Sequence, residues 1–474
     1  MNVGRRALAL ELALLGLVLA AAGLLFHHGL SAPASFDEAV YLLATDAMRH
    51  GQELGSQIFT AQPPGFYTLI RAGQAVFGAT VSGGRDTVVA LALAGLVGAY
   101  LIGRRYYGAA AGLGAAALLA VAPPFPTFAA NVSADLPSFA LGLLALAFLL
   151  LALDDRAPIV FSALSGVLLA ASVSVKVSAL TLAVPVAGFL WARRVYVHAR
   201  MLAALAAGFA AVVLALVVGY WGGLHGIWVG AVDYHGKARG VPGPGLSLGD
   251  NLHRVVHFLD PRTPFAWLVL LALVVSVTPW RPRLRLPLWP LLAWTLASAL
   301  FLVWHHPLHD NHMVLLAVTI ALPAGIVLGG AAAQLGGRRA LAAALVLVLA
   351  WSAGFAQEWR RDNRNAAAEP ADILWAVKQI DRRTRPGELV VTDEPIVDVL
   401  ARRHSPGRLV DTAFLRFESG LLTDQQVLDV IDRDHIRAVV AARAFKARPG
   451  LLAELARRFP TRLDQGGLTI YLRA

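Results

Sequence analysis

Four short stretches of the 474-residue chain place reactive side chains beside long apolar segments. The first is Ser35-Phe36-Asp37-Glu38, in which Ser35 and Glu38 have the spacing of a helix-capping box. Asp37 suits the positive end of the helix dipole, yet a cap needs only one of the two carboxylates. Asp37 is thus the candidate for a base that takes a proton from an acceptor hydroxyl, with Glu38 orienting it or holding a cation. The second is Asp135 in NVSADLPSF, which reads either as an N-cap before a proline start or as an acidic site residue. The third is Lys176 in VSVKVSAL, where a lone lysine between apolar runs must snorkel to water or meet an anion. The fourth is WHHPLHDNH, with His305, His306, His309, Asp310 and His312, preceded in the chain by a second polar group, Asp233, His235 and Lys237. Imidazoles with a carboxylate could bind zinc, contact a phosphate or sugar, or simply be solvated at an interface. Their spacing matches no zinc signature, so a divalent ion at His305, His309 and Asp310 is one candidate among these and no cofactor is required.

The elements that must position these groups are helices in a membrane. Hydrophobic residues make up 57% of the chain and charged residues only 15%, too apolar for a soluble globule. About eleven apolar segments lie near residues 7–26, 87–106, 109–122, 138–153, 158–174, 178–192, 201–220, 264–280, 286–304, 313–334 and 339–356. The first follows Arg5 and Arg6 but lacks a small-residue cleavage site, and reads as an uncleaved helix. With a cytoplasmic N-terminus, the clusters at Arg104/Arg105, Arg156, Arg193/Arg194/Arg200, Arg281/Arg283/Arg285 and Arg338/Arg339 all fall inside. That orientation puts the loops 27–86 and 221–262, the turns at Asp135, Lys176 and 305–312, and the tail on the non-cytoplasmic side. The net charge of +11 thereby reports topology rather than nucleic-acid binding, and the absence of Cys excludes disulfides and thiolate metal sites.

The loop 27–86 contains FDEAVYLLATDAMRHG and PPGFYTLIRAGQAVFG, whose spacing predicts helices lying on the outer membrane surface. The loop 221–262, with GKARGVPGPGLSLGD, reads as mobile. Beyond residue 366 the composition turns soluble, and ELVVTD, IRAVVAA and GLTIYLR predict strands of a small α/β domain. Thr392, Asp393 and Glu394 sit at the carboxyl end of its first strand, where open α/β sheets place ligands, and suit a polar cap better than a ligand site. The expected architecture is a mainly α, polytopic helical bundle over 1–356 with an extracytoplasmic α/β domain over 357–474.

In this order and sidedness the motifs resemble the GT-C membrane glycosyltransferases, especially the bacterial branch similar to aminoarabinose transferases and protein O-mannosyltransferases. The resemblance rests on Asp37-Glu38 in a first outer loop, QPPGFYTLI, the Asp135-Leu136-Pro137 turn, Lys176 between two spans, and HPLHDNHMVLLAVTIALPAG. It implies transfer of a sugar from a polyprenyl-phosphate donor to an outer-face lipid, glycan or protein, with inversion. Asp37 would be the base, Glu38 its helper, Asp135 a second acidic residue, and Lys176 a neighbour of the donor phosphate. Gln62 and Tyr67 of QPPGFYTLI, with Asp233, His235 and Lys237, are the substrate-binding candidates. Two motifs depart from the pattern: Gln62 stands where a lysine often precedes the paired prolines, and Asn311-His312 where Arg-Tyr is common. Phosphate binding then falls on Lys176, His305 and His309, cationic or hydrogen-bonding groups that suit an anionic leaving group. A transporter would place polar residues near the midplane and show two similar halves, and neither is seen. A non-catalytic envelope polymer assembly protein would not depend on Asp37.

Overall fold

A helix that is apolar around its whole circumference has no stable place at a water-facing surface, and such helices dominate this chain. The computed structural model describes residues 2–154, 157–241, 247–335, 337–365 and 368–473. Seven of its helices are long and apolar enough to cross a membrane: Arg5–Gly29, Val81–Tyr107, Asp135–Ala152, Pro158–Val175, Ala199–Gly219, Asp310–Gln334 and Arg338–Asn365. Four shorter apolar helices, Ala109–Ala120, Val177–Ala192, Pro264–Val277 and Trp289–Trp304, occupy the other predicted spans. Arg156 and residues 242–246, read above as part of a basic cluster and of a mobile loop, lie outside the described residues. The chain divides into two compact units: Met1–Ser31, Arg85–Ala215 and Gly245–Ala366; and Ala32–Gly84, Leu216–Pro244 and Ala367–Ala474.

Lipid offers no hydrophobic drive between helices, so close backbone approach and internal hydrogen bonds hold the first unit together. Gly325 and Gly329 in the helix Val314–Gln334 meet the helix Ala109–Ala120, where a Cβ at Gly325 would lie 2.4 Å from the Gly114 carbonyl oxygen. The helices Asp135–Ala152 and Pro158–Val175 form an antiparallel hairpin. Ser138 Oγ donates to the Ser172 carbonyl (2.9 Å), Ser172 Oγ to the Ser138 carbonyl (2.7 Å), and Ser165 Oγ to the Ala145 carbonyl (2.9 Å). This pairing sets the first residue of one helix beside the last turn of the other.

The second unit is built on strands β1 (Val390–Thr392), β2 (Ala438–Ala441), β3 (Thr461–Gln465) and β4 (Leu468–Leu472), in the order β1-β2-β4-β3. β1 runs parallel to β2, with Val391 opposite Val439, and β4 is antiparallel to β2 and β3, with Ile470 opposite Val440 and Leu463. β-branched runs predict β1, β2 and β4. β3 is an exposed edge strand, Thr-Arg-Leu-Asp-Gln, whose charges protect the edge and hide it from a hydrophobic pattern. The two amphipathic segments of the first loop form helices Phe36–Arg49 and Pro64–Phe77. Ala39 of the former packs into the same core as Ile373, Ile380, Val397 and Ile470, so that helix is part of the sheet-bearing unit. Asp393 has the capping role: its carboxylate accepts the Ala442 and Phe445 N–H groups.

Asp398 in this unit is completely buried and accepts from Ser405 Oγ (2.6 Å), while Oδ1 meets no partner among the described residues. Burial pushes its carboxyl up to about 7, against about 3.9 in an unfolded chain. The folded state therefore binds the proton more tightly. The associated stability is fully present below about pH 4 and is lost as pH rises through about 7. Asp398→Asn should melt higher than the native protein at pH 8, with the gap narrowing as pH falls. A gap independent of pH in thermal scans would contradict this.

Candidate active site

In the second unit the capping box forms as the residue spacing requires: Glu38 N–H donates to Ser35 Oγ (3.3 Å) and Ser35 N–H to Glu38 Oε2 (3.4 Å). Glu38 is 0% exposed, whereas Asp37 is exposed, so the cap belongs to Glu38 and the outward carboxylate to Asp37. Three buried groups feel the Asp37 charge. Burial first, then the charges of Asp411 and Asp37, push the phenols of Tyr67 and Tyr234 far above the ordinary tyrosine range. Burial likewise raises the Asp411 carboxyl, opposed by Arg416 and by the Ala413 N–H, with Asp37 adding to the rise.

Arg416, itself 5% exposed, is pulled down to about 10 by burial against the opposing charge of Asp411. It donates to the Asp411 and Arg408 carbonyl oxygens and lies 3.9 Å over the Phe59 ring, which meets Tyr234 edge-on at 5.7 Å. Asp411 and Arg416 carry no local motif, and Tyr234, between Asp233 and His235, gains its meaning only where its segment meets theirs, far away in the chain. Gln62 Nε2 donates to the Tyr41 hydroxyl (3.1 Å), with both side chains buried. His235 Nε2 donates to the Ala61 carbonyl (2.8 Å), which fixes a proton on that nitrogen. Thus the QPPGFY segment and the Asp233-His235 segment, separate in sequence, meet. Asp233 is half-buried and ends a π-helical turn, Val229–Asp233, a rare geometry frequent at functional sites, while Lys237 is exposed.

In the first unit the helical hairpin makes a second constellation. Asp135 occupies the first turn of its helix, where a carboxylate complements the dipole, and Lys176 caps the C-terminus of the other, where a cation does. Lys176 Nζ lies 3.2 Å from Asp135 Oδ2, and Asn311 Nδ2 donates to the same oxygen at 2.8 Å. Asp135 is 1% and Lys176 7% exposed. The lone lysine of the sequence therefore has a buried carboxylate partner. Asn311, a departure from the family pattern, is its third member. Asp135 Oδ1 is buried and meets no partner among the described residues.

The histidines of the late turn pack on one another. His309 N–H donates to His312 Nδ1 (3.1 Å), and the His312 ring meets His305 edge-on at 4.5 Å. Asp310 turns outward to Arg254 Nη1 (3.1 Å), and Asn251 Nδ2 holds the His305 carbonyl at 2.5 Å. Among the described residues, no group of three convergent His or carboxylate ligands lies in this turn.

The family model for dolichyl-phosphate-mannose-protein mannosyltransferases matches residues 61–221. The matched segment lies in the helical part of the chain, and the fold is that of polytopic membrane proteins like ArnT, as the resemblance implies. ArnT from Cupriavidus metallidurans bound to undecaprenyl phosphate aligns with a TM-score of 0.68 at 14% identity, over 99% of this chain and 98% of that one. The oligosaccharyltransferase AglB from Archaeoglobus fulgidus, in complex with an inhibitory peptide and a dolichol-phosphate, gives 0.54 at 12% identity, covering 91% and 69%. The arabinofuranosyltransferase AftD from Mycobacteria gives 0.52 at 15% identity, covering 97% and 41%. Comparison with curated proteins gives no match.

Proposed function

We propose that the protein is a membrane glycosyltransferase that moves a sugar from a polyprenyl-phosphate donor to a hydroxyl of a lipid, glycan or protein on the non-cytoplasmic side, with inversion. The observation that carries the reading is the division between adjacent carboxylates. Glu38 is buried in its cap and Asp37 is exposed, in a fold like that of ArnT bound to undecaprenyl phosphate. Asp37 accepts the acceptor's proton as the hydroxyl oxygen attacks the anomeric carbon. The bond from that carbon to the phosphate oxygen breaks, and the pair of electrons leaves with the polyprenyl phosphate. The leaving group is already anionic and needs positive charge and N–H donors rather than a proton. Lys176 has three donor protons; Asp135 takes one, and two serve phosphate oxygens, with His305 and His309 as further donors. Asp233, His235 and Lys237 line the sugar or acceptor in this reading, with the buried Gln62 and Tyr67 supporting the segment to which His235 is bonded.

Purified protein should release polyprenyl phosphate from the lipid-linked sugar only when a hydroxyl acceptor is present. Sidedness offers an independent check, since the reading requires the sheet-bearing unit to be extracytoplasmic. Reporter fusions at Arg105, Arg194 and Arg285 should report the cytoplasm, and fusions at Gln52 and Arg443 the outside. A cytoplasmic signal at Arg443 would remove the shared sidedness on which every proposed site residue depends.

A further inference from the structure

A cluster apart from the residues given roles above sits at the far end of the helix that carries Asp37 in its first turn. Asp46 and His50 are one turn apart at the C-terminus of Phe36–Arg49, and His404 comes from the segment after the helix Ile396–Leu400. One ligand atom from each of the three lies within 4.8 Å of the others, and among the described residues no other group of three His or carboxylates does so. His404 Nδ1 is 2.5 Å from Asp46 Oδ2, and the two imidazole rings are 4.1 Å apart. We propose that Asp46, His50 and His404 form a binding site for a divalent transition-metal ion of the zinc type, which ties the Asp37 helix to the sheet-bearing segment.

The surroundings fit such a site. Arg49 Nη2 holds Asp46 Oδ1 at 2.9 Å and so leaves Oδ2 to face the two imidazoles. His50 Nδ1 donates to the Asp46 carbonyl (2.9 Å), an arrangement that fixes the tautomer and leaves Nε2 as the unprotonated ligand nitrogen. The His404 backbone is anchored, since its carbonyl accepts the Val390 N–H of β1 at 3.0 Å. Two further bonds join the same segments: Gly407 N–H to Gln52 Oε1 (3.0 Å) and Phe59 N–H to the Gly407 carbonyl (3.1 Å). Ligands on braced elements lose little freedom when an ion arrives. Tetrahedral zinc, with N and O ligands at about 2.0–2.2 Å, needs them a little over 3 Å apart, so the ion replaces the proton between His404 and Asp46 with a small outward shift. The side chains are 20%, 52% and 30% exposed for Asp46, His50 and His404, which gives the ion an entry path and leaves water to complete the coordination. Two histidines and one carboxylate favour zinc over calcium or magnesium, which prefer oxygen ligands.

The test uses untagged full-length protein in detergent, stripped with a chelator, titrated with zinc chloride and then desalted for elemental analysis. About one zinc should remain per chain. His404→Gln and Asp46→Asn should each weaken zinc binding by at least about 10–100-fold, the loss that even an outer-shell partner can carry, without changing elution or helicity. His253 and His257, stacked one turn apart in the first unit, offer a rival pair, and the double variant His253→Gln/His257→Gln should bind zinc like the native protein. Absence of retained zinc, native-like affinity in both His404→Gln and Asp46→Asn, or loss of binding in the His253/His257 variant instead would overturn the proposal. Because no turnover is read, this result stands apart from the glycosyltransferase assignment.

Discussion

Asp37→Asn is expected to lower turnover by about 10²–10⁴, the usual contribution of a general base, with donor affinity and helix content unchanged. Asparagine preserves size and polarity but cannot take the acceptor's proton. The structure sharpens the control one residue away. Glu38 is buried and receives the Ser35 N–H, so Glu38→Gln keeps the capping bond and should cost far less activity. Ser35→Ala removes the reciprocal bond and should cost about 1 kcal/mol of stability with little change in the rate constant of the folded enzyme. Single-turnover kinetics with a lipid-linked sugar separate these outcomes. Near-native turnover in Asp37→Asn would shift the base to another carboxylate, with Asp135 next in line.

The second large effect concerns Lys176, whose ion pair with Asp135 is buried. Lys176→Met alone leaves an uncompensated carboxylate and should destabilise the protein by about 3–5 kcal/mol, which would confound any binding assay. Adding Asp135→Asn removes that charge and should restore folding. The folded double variant should still bind donor about tenfold to 150-fold more weakly, corresponding to a lost charge-assisted hydrogen bond of about 1.5–3 kcal/mol. A folded double variant with native donor affinity would make Lys176 a purely structural partner of Asp135.

The spans could be read because a lipid-facing helix needs an unbroken apolar run, and such runs leave no ambiguity of period. The capping box was equally legible, since its two partners are three residues apart. What escaped depends on distant segments meeting. Asn311 gains its meaning only when it touches Asp135, and His404 only beside Asp46. Asp411 lies in a loop with no helical or strand period, and its link to Asp37 is electrostatic rather than sequential. The helix Phe36–Arg49 read as a membrane-surface element because its amphipathic face is visible in the sequence. Its Ala39 packs with core residues of β1, β2 and β4, a partner that the same pattern cannot name. β3 was lost because an edge strand is protected by the charges that disguise it.

If Asp37 is the base of a lipid-phosphate-dependent glycosyltransferase, its loss must be visible in the cell envelope. Mass spectrometry of envelope glycans and lipid carriers in a deletion strain, complemented with native protein or with Asp37→Asn, reads this. The deletion should lose one glycan modification and accumulate the corresponding polyprenyl-phosphate sugar, with native protein restoring both and Asp37→Asn, present at equal abundance, restoring neither. Unchanged glycans in the deletion strain, or full restoration by Asp37→Asn, would contradict it.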